Sequence, residues 1–437
     1  MTSFIRSALI GAIVLAASSA IADAATETVT HSFCKLQECA DGTQPVNPLV
    51  RDGAGNFYSV APGGMNEKGV VYRLSPKPNG KWRYRVLYSF CGLANCLDGA
   101  FPGALIVDTS GRLYGMTTAG GPSNDRGTIF RLTPRAGRKA WTLETLYAFC
   151  DRANNCRDGA NPLGGLTYAG ASSGLPYDGT SPLYGVTELG GLHAGGVAFS
   201  LTPMQGWWKE TVLHAFCAEK APRCLDGTQL SVAPTLDGAG NLYGAAGAGG
   251  SRNKGLVYKL SPGAGHRWTE TVVHDFCDGD GCEFTGNDVS KFTIDAAGDL
   301  FSLSTSGGDF TNCGDGCGVL FELSPAGALT VLHEFCAETH CPDGFRPYDA
   351  GGLLLDSSGN LFGTTLLGGN QTTDGGTAFE YSATGFTTLY KFCGVAGCTD
   401  GREPQSGLIQ DPSGALWGTT TGGGAYNDQG TVFTLTP

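Results

Sequence analysis

Sixteen cysteines and a recurrent aspartate hold most of the chemistry within reach of this chain. The cysteines fall into eight close pairs: Cys34/Cys39, Cys91/Cys96, Cys150/Cys156, Cys217/Cys224, Cys277/Cys282, Cys313/Cys317, Cys336/Cys341 and Cys393/Cys398. A zinc site would need four clustered nitrogen or sulfur ligands. These pairs carry no matching histidines and stand one repeat apart. Local disulfides need only an oxidising compartment. Eight disulfides and no metal are expected, which leaves no cysteine free to act as a nucleophile.

The acids repeat as well. Asp41, Asp98, Asp158, Asp226, Asp343 and Asp400 each sit in a Cys-x-Asp-Gly element. They make either a carboxylate ring at a channel mouth or a turn that caps each disulfide loop. Reuse in unit after unit favours the turn. Phe284 takes the place of this aspartate in the fifth unit. The acidic stretch there, Asp278, Asp280, Glu283 and Asp288, lacks the ligand order of a calcium loop. No cofactor is therefore expected, with Ca²⁺ as the alternative.

Histidine offers little. His31, His214, His274 and His333 share one repeat position with Tyr88, Tyr147 and Tyr390, which reads as half-buried packing. Trp82, Trp141, Trp208 and Trp268 share another position and read the same way. A function grafted on a repeating scaffold should lie where the repeats disagree. The departures are an insertion at 170–182, Glu188 and His193 around one Gly-Gly loop, Lys291 in place of a small residue, and Arg346, Tyr348 and Asp349. Catalytic candidates are Glu188, His193 and Lys291, with His340 and Asp288 as further acid-base residues. Binding candidates are Asp288, Lys291, Arg346 and Tyr348. No nucleophile elbow, phosphate loop or dinucleotide fingerprint occurs.

The elements that position these residues come from one motif written seven times. Phe-Cys recurs with cysteine intervals of 57, 59, 67, 60, 59 and 57 residues, giving units that start near 31, 88, 147, 214, 274, 333 and 390. A fixed period of this size points to a solenoid or a propeller. Each unit shows four short strand patterns separated by turn residues and no helical period. Four-stranded sheets repeated radially make an all-β, seven-bladed β-propeller. The last unit ends after its third strand, and 27–34 resembles the missing fourth, as in 210–217. The N-terminal strand is therefore predicted to complete the last blade and close the ring. The cysteine and Gly-Gly loops should then share one face, and the Asp-x-x-Gly turns the other.

The runs 356–369 and 411–424 each contain an Asp-x-x-Gly turn, Leu-aromatic-Gly-Thr-Thr and a Gly-Gly pair, and 430–437 follows as Gly-Thr-Val-Phe-Thr-Leu-Thr-Pro. Together these resemble the GloVer-type (Gloeobacter/Verrucomicrobia) tandem repeat of exported bacterial proteins. The resemblance covers essentially the whole mature chain. It implies an extracellular or surface propeller and carries no catalytic residues with it.

The remaining bounds are compositional. A net charge of -12 and the lack of a basic run argue against a nucleic-acid partner. Residues 1–24 read as a signal peptide, with Arg6 before an apolar core and Ala-Asp-Ala at 22–24, so 25–437 is expected to form one domain. The apolar run is too short to span a membrane. The expected product is an exported monomer, periplasmic or extracellular. It would bind a protein or glycan ligand on the cysteine-loop face. The alternatives are a polysaccharide lyase or lactone hydrolase at the channel mouth, and a multivalent lectin.

Overall fold

In the computed structural model, the described residues are 25–437 except 124, 136–140, 151–154, 219–223, 278–283, 309–310, 315, 371–372 and 437. The signal-peptide expectation for 1–24 lies outside them. Seven antiparallel sheets follow one another around a ring. Blade 2 shows the pattern: its inner edge is Ala100–Pro102 and Ile106–Val107, followed by Leu113–Ala119, Thr128–Pro134 and the outer strand Trp141–Ala148. Blade 7 holds Arg402–Pro404, Ile409–Gln410, Leu416–Gly422 and Thr431–Thr436. Its fourth strand is Thr26–Ser32, paired antiparallel with Thr431–Thr436. The N-terminal strand thus closes the ring, as the end patterns predict.

Aromatic rings hold neighbouring blades together. The phenylalanine of each Phe-Cys pair is buried, and six of the seven pack on the third-strand aromatic of the next blade. The pairs Phe33–Tyr72, Phe90–Phe130, Phe149–Phe199, Phe216–Tyr258, Phe335–Phe379 and Phe392–Phe433 have centroids 4.8–5.4 Å apart. Tilted and edge-on ring pairs at this separation add to simple area burial. In blade 5, Phe284 wedges between Phe276 and Phe321. The second-strand glycine makes room for these rings. A Cβ on Gly115 would stand 2.7 Å from the Phe130 ring.

The loops separate by face. Six Gly-Gly loops donate an N–H to the second-cysteine carbonyl of the adjoining loop, for example Gly121 N to Cys96 O at 2.9 Å. Cysteine and Gly-Gly loops therefore share one face. On the other, Asp52, Asp108, Asp237, Asp295, Asp356 and Asp411 each accept backbone N–H bonds from the turn that follows. The 170–182 insertion lies on this turn face. Fully buried Tyr177 bridges Asp108 in blade 2, and Ser172 Oγ donates to Leu236 O in blade 4.

Seven disulfides join Cys34–Cys39, Cys91–Cys96, Cys150–Cys156, Cys217–Cys224, Cys313–Cys317, Cys336–Cys341 and Cys393–Cys398. The expected Cys277–Cys282 pair includes a residue outside the described set. No helix among the described residues is long and apolar enough to cross a membrane.

Candidate functional site

The repeated aspartate is a structural cap. Asp98 accepts the N–H groups of Gly92 and Leu93 at 3.0 and 3.2 Å and the Tyr88 hydroxyl at 2.7 Å. Asp400 does the same with Gly394, Val395 and Tyr390. Where histidine replaces tyrosine, it keeps the contact: His214 Nε2 lies 3.3 Å from Asp226, and His333 Nε2 lies 2.9 Å from Asp343. The His/Tyr position is therefore more than packing, because it supplies the polar partner of the cap. Blade 5 supports this reading. Its aspartate is replaced by Phe284, and His274 turns to Gly327 O instead. Burial pushes the Asp41 and Asp226 carboxyls up, but a histidine and backbone N–H groups outweigh it and hold both below the usual range. These carboxylates are consumed by their own loops.

The departures from the repeat gather in two places. Glu188 is half-buried at the end of Leu183–Leu189, and His193 is exposed on the adjoining loop, both in blade 3. Lys291 lies two residues before the inner strand of blade 5, Thr293–Ile294, so blade 4 stands between it and the Glu188/His193 pair. Across the seam between blades 5 and 6 the inner strands touch. The Asp349 N–H donates to Ser290 Oγ at 3.1 Å, and a Cβ on Gly352 would stand 3.0 Å from Lys291 O. Burial pushes the Lys291 ammonium down and the Asp349 carboxyl up to about 7, although Thr364 donates to Asp349 twice. Burial, then the Asp349 charge, raises Tyr348 as well. Asp288 accepts hydroxyls from Thr285, Thr305 and Ser306. Arg346 is exposed at the start of the inner strand of blade 6, on the cysteine-loop face.

Arg346 belongs to a ring that sequence reasoning missed. Gln44, Phe101, Asn161, Gln229, Arg346 and Glu403 occupy one repeat position, two residues after the glycine of Asp-Gly, and all have φ between 42 and 60°. Left-handed backbone is costly for residues with a side chain. Five of the six precede a proline, which normally favours extended backbone. Tertiary contacts impose the conformation. Phe101 N–H donates to Lys68 O, Asn161 to Arg126 O, Arg346 to Cys317 O and Glu403 to Gly375 O, each on the preceding blade. Gly286 makes the equivalent bond in blade 5. Seven equivalent positions at the starts of the inner strands thus present glutamine, phenylalanine, asparagine, glutamine, glycine, arginine and glutamate. The shared Gly-x-z-Pro spacing is the signal that could have revealed them.

The model of the Gloeobacter/Verrucomicrobia repeat matches residues 19–229 and 231–437. The chain belongs to this family. No curated protein matches the sequence. Among solved structures, a luciferin-regenerating enzyme is similar at 11% identity and TM-score 0.42, over 91% of this chain and 92% of that one. An α-L-arabinanase of Penicillium chrysogenum bound to arabinobiose is similar at 12% and 0.43, over 76% and 92%. An α-L-arabinofuranosidase of Fusarium graminearum is similar at 13% and 0.42, over 76% and 91%. None of these likenesses bears on what this repeat-family propeller does.

One sulfur cluster could in principle hold a metal. The Sγ atoms of Cys313, Cys317 and Cys336 lie within 4.8 Å of one another. All three are disulfide-bonded, so they offer no thiolate to a metal.

Proposed function

We propose that this propeller is an exported binding scaffold that reads a protein partner with the rim of its channel mouth on the cysteine-loop face. The observation that carries the reading is the ring Gln44, Phe101, Asn161, Gln229, Arg346 and Glu403: one strained backbone position, presented repeatedly, with varied side-chain chemistry. Strain held by neighbours at equivalent positions suits a display surface better than a packing role. Exposed apolar side chains surround it. Leu36, Leu93 and Val395 each stand two residues after a first cysteine, and Met65, Leu192 and Tyr426 stand on Gly-Gly loops. Rigid loops with apolar tips lower the ordering cost of association. The disulfides fit an oxidising compartment, which supports export with residues 1–24 as the signal peptide. N-terminal sequencing of the secreted form should begin at Ala25.

A photo-cross-linking residue at Phe101, in cells that export the protein, tests the site. Adducts to one defined protein from Phe101, and none from Asn56 on the turn face, are expected. Arg346→Ala and Glu403→Ala should weaken the same adduct. Equal labelling from both faces would sink the assignment.

A second reading is an extracellular lyase or lactone hydrolase at the channel mouth. It draws on half-buried Lys291 and buried Asp349 at the seam between blades 5 and 6. It requires turnover that Lys291→Ala abolishes at unchanged melting temperature.

A further inference from the structure

The outer rim carries a second feature, at the seam between blades 2 and 3. A groove of about 510 Å³ runs between their outer strands. Trp207, Trp208, Glu210, Tyr147, Arg157 and Lys209 line it. Trp207 belongs to the turn before the outer strand Trp208–Ala215, and Arg157 to the cysteine loop, so the groove extends along the seam.

Its local sequence explains why it opens here. Four residues before the His/Tyr position, two other seams carry a ring that fills the space. Tyr84 stacks on His31 at 3.8 Å, and Phe386 stacks on His333 at 3.9 Å. Glu210 stands at that position in blade 3, as Glu270 and Glu27 do in blades 4 and 7, and supplies a carboxylate instead of a ring. Two further changes coincide with it. The Cys-x-Asp-Gly variable residue is Ala40, Leu97, Leu225, Pro342 or Thr399 elsewhere, and Arg157 here. The residue before the repeated tryptophan is Lys81, Ala140 or Arg267 elsewhere, and Trp207 here. The Trp208 ring is held against Tyr114 at 6.2 Å, whereas the Trp207 side chain is 56% exposed. An indole left in water beside a guanidinium, an ammonium and a carboxylate has no packing role to explain it.

We propose that this groove binds a neutral oligosaccharide at a single site per chain. A pyranose ring presents an apolar C–H face that stacks on an indole, and hydroxyls on its rim that bond alternately to donors and acceptors. Arg157 and Lys209 offer exposed donors, while the buried carboxylates of Glu210 and of Asp158, the latter engaged by the Tyr147 hydroxyl and the Cys150 N–H, place negative charge beneath them. Two cationic and two acidic side chains balance, which favours an uncharged chain over a uronate or sulfated one. Trp207 occurs in one blade, so the site is not repeated around the ring. The proposal does not rest on the rim reading above, because the groove lies on the outer edge and not at the channel mouth.

Cellohexaose, xylohexaose, mannohexaose and hexagalacturonate, titrated by calorimetry and tryptophan fluorescence, test it. At least one neutral hexasaccharide should bind with one site per chain and quench fluorescence. Trp207→Ala should weaken it about tenfold or more, and Arg157→Ala several-fold. Both side chains are exposed, so melting temperatures should not move. Phe101→Ser, at the channel mouth, should leave glycan affinity unchanged. The proposal falls if no neutral probe binds, if hexagalacturonate alone binds, if Trp207→Ala binds as tightly as the parent, or if the stoichiometry approaches one site per blade.

Discussion

Glu27→Gln should make the protein less sensitive to alkaline pH. Glu27 lies on the strand that closes the ring, and its Oε1 is buried without a hydrogen-bond partner among the described residues. Burial first, and the Asp400 carboxylate second, push its carboxyl from 4.5 up to about 8. The folded state therefore holds a proton that the unfolded chain gives up near pH 4.5. Stability from this group is complete below pH 4.5, declines as pH rises, and is gone once pH passes about 8. A gap of roughly 3.5 pH units corresponds to about 5 kcal/mol at full strength. Glu27 is only half-buried, so screening reduces this to about 1–3 kcal/mol. Glutamine keeps the shape and removes the charge. Guanidinium unfolding of parent and variant at about pH 5, 7 and 9 reads the difference. The variant should gain relative to the parent by about 1–3 kcal/mol between the lowest and highest pH. A difference independent of pH, or one that moves the other way, would refute the reasoning.

Other consequences follow from the caps, the rings and the closure. Asp98→Ala leaves the Tyr88 hydroxyl and the Gly92 and Leu93 N–H groups without their acceptor, and should cost about 1–3 kcal/mol in chemical denaturation. Phe392→Ala removes a fully buried ring from the seam with Phe433 and should cost about 3–5 kcal/mol. Deleting 25–32 leaves Thr431–Thr436 with an open edge. The truncated protein should melt lower, and a synthetic 25–33 peptide added in trans should restore it; no restoration would show that closure contributes little. Below pH 4, protonation of Asp41 and Asp226, held low in the folded state, should destabilise the protein. Asp226→Asn should flatten that acid limb in the same assay.

The blades were legible because a blade obeys local rules. Alternating strands, Asp-x-x-Gly turns and paired cysteines each act within a few residues, and sevenfold repetition makes each unit a check on the others. Ring closure was legible because 27–34 could be matched to 210–217. The site was less so. His214 and Asp226 were read as separate habits of the repeat, since a hydrogen bond between strand and loop leaves no trace in spacing. The left-handed ring stayed hidden because its members share a backbone angle and not a side chain, and a following proline argues against that angle. Trp207 was masked by Trp208 beside it, whose repetition drew attention to packing. Lys291 and Asp349 were visible as departures, but the seam that joins them depends on which blades are neighbours.

The N-terminal strand has a consequence for how such a molecule can grow. The repeated unit begins at the end of one outer strand and crosses a cysteine loop into the next blade, so gene segment and folded blade are offset by one strand. Copying or losing a single segment therefore never creates an orphan strand. The borrowed strand at the front still meets the incomplete sheet at the back, and only the circumference changes. A ring closed in this way can pass from seven blades to six or eight through one duplication or deletion, with every intermediate gene encoding a closed molecule.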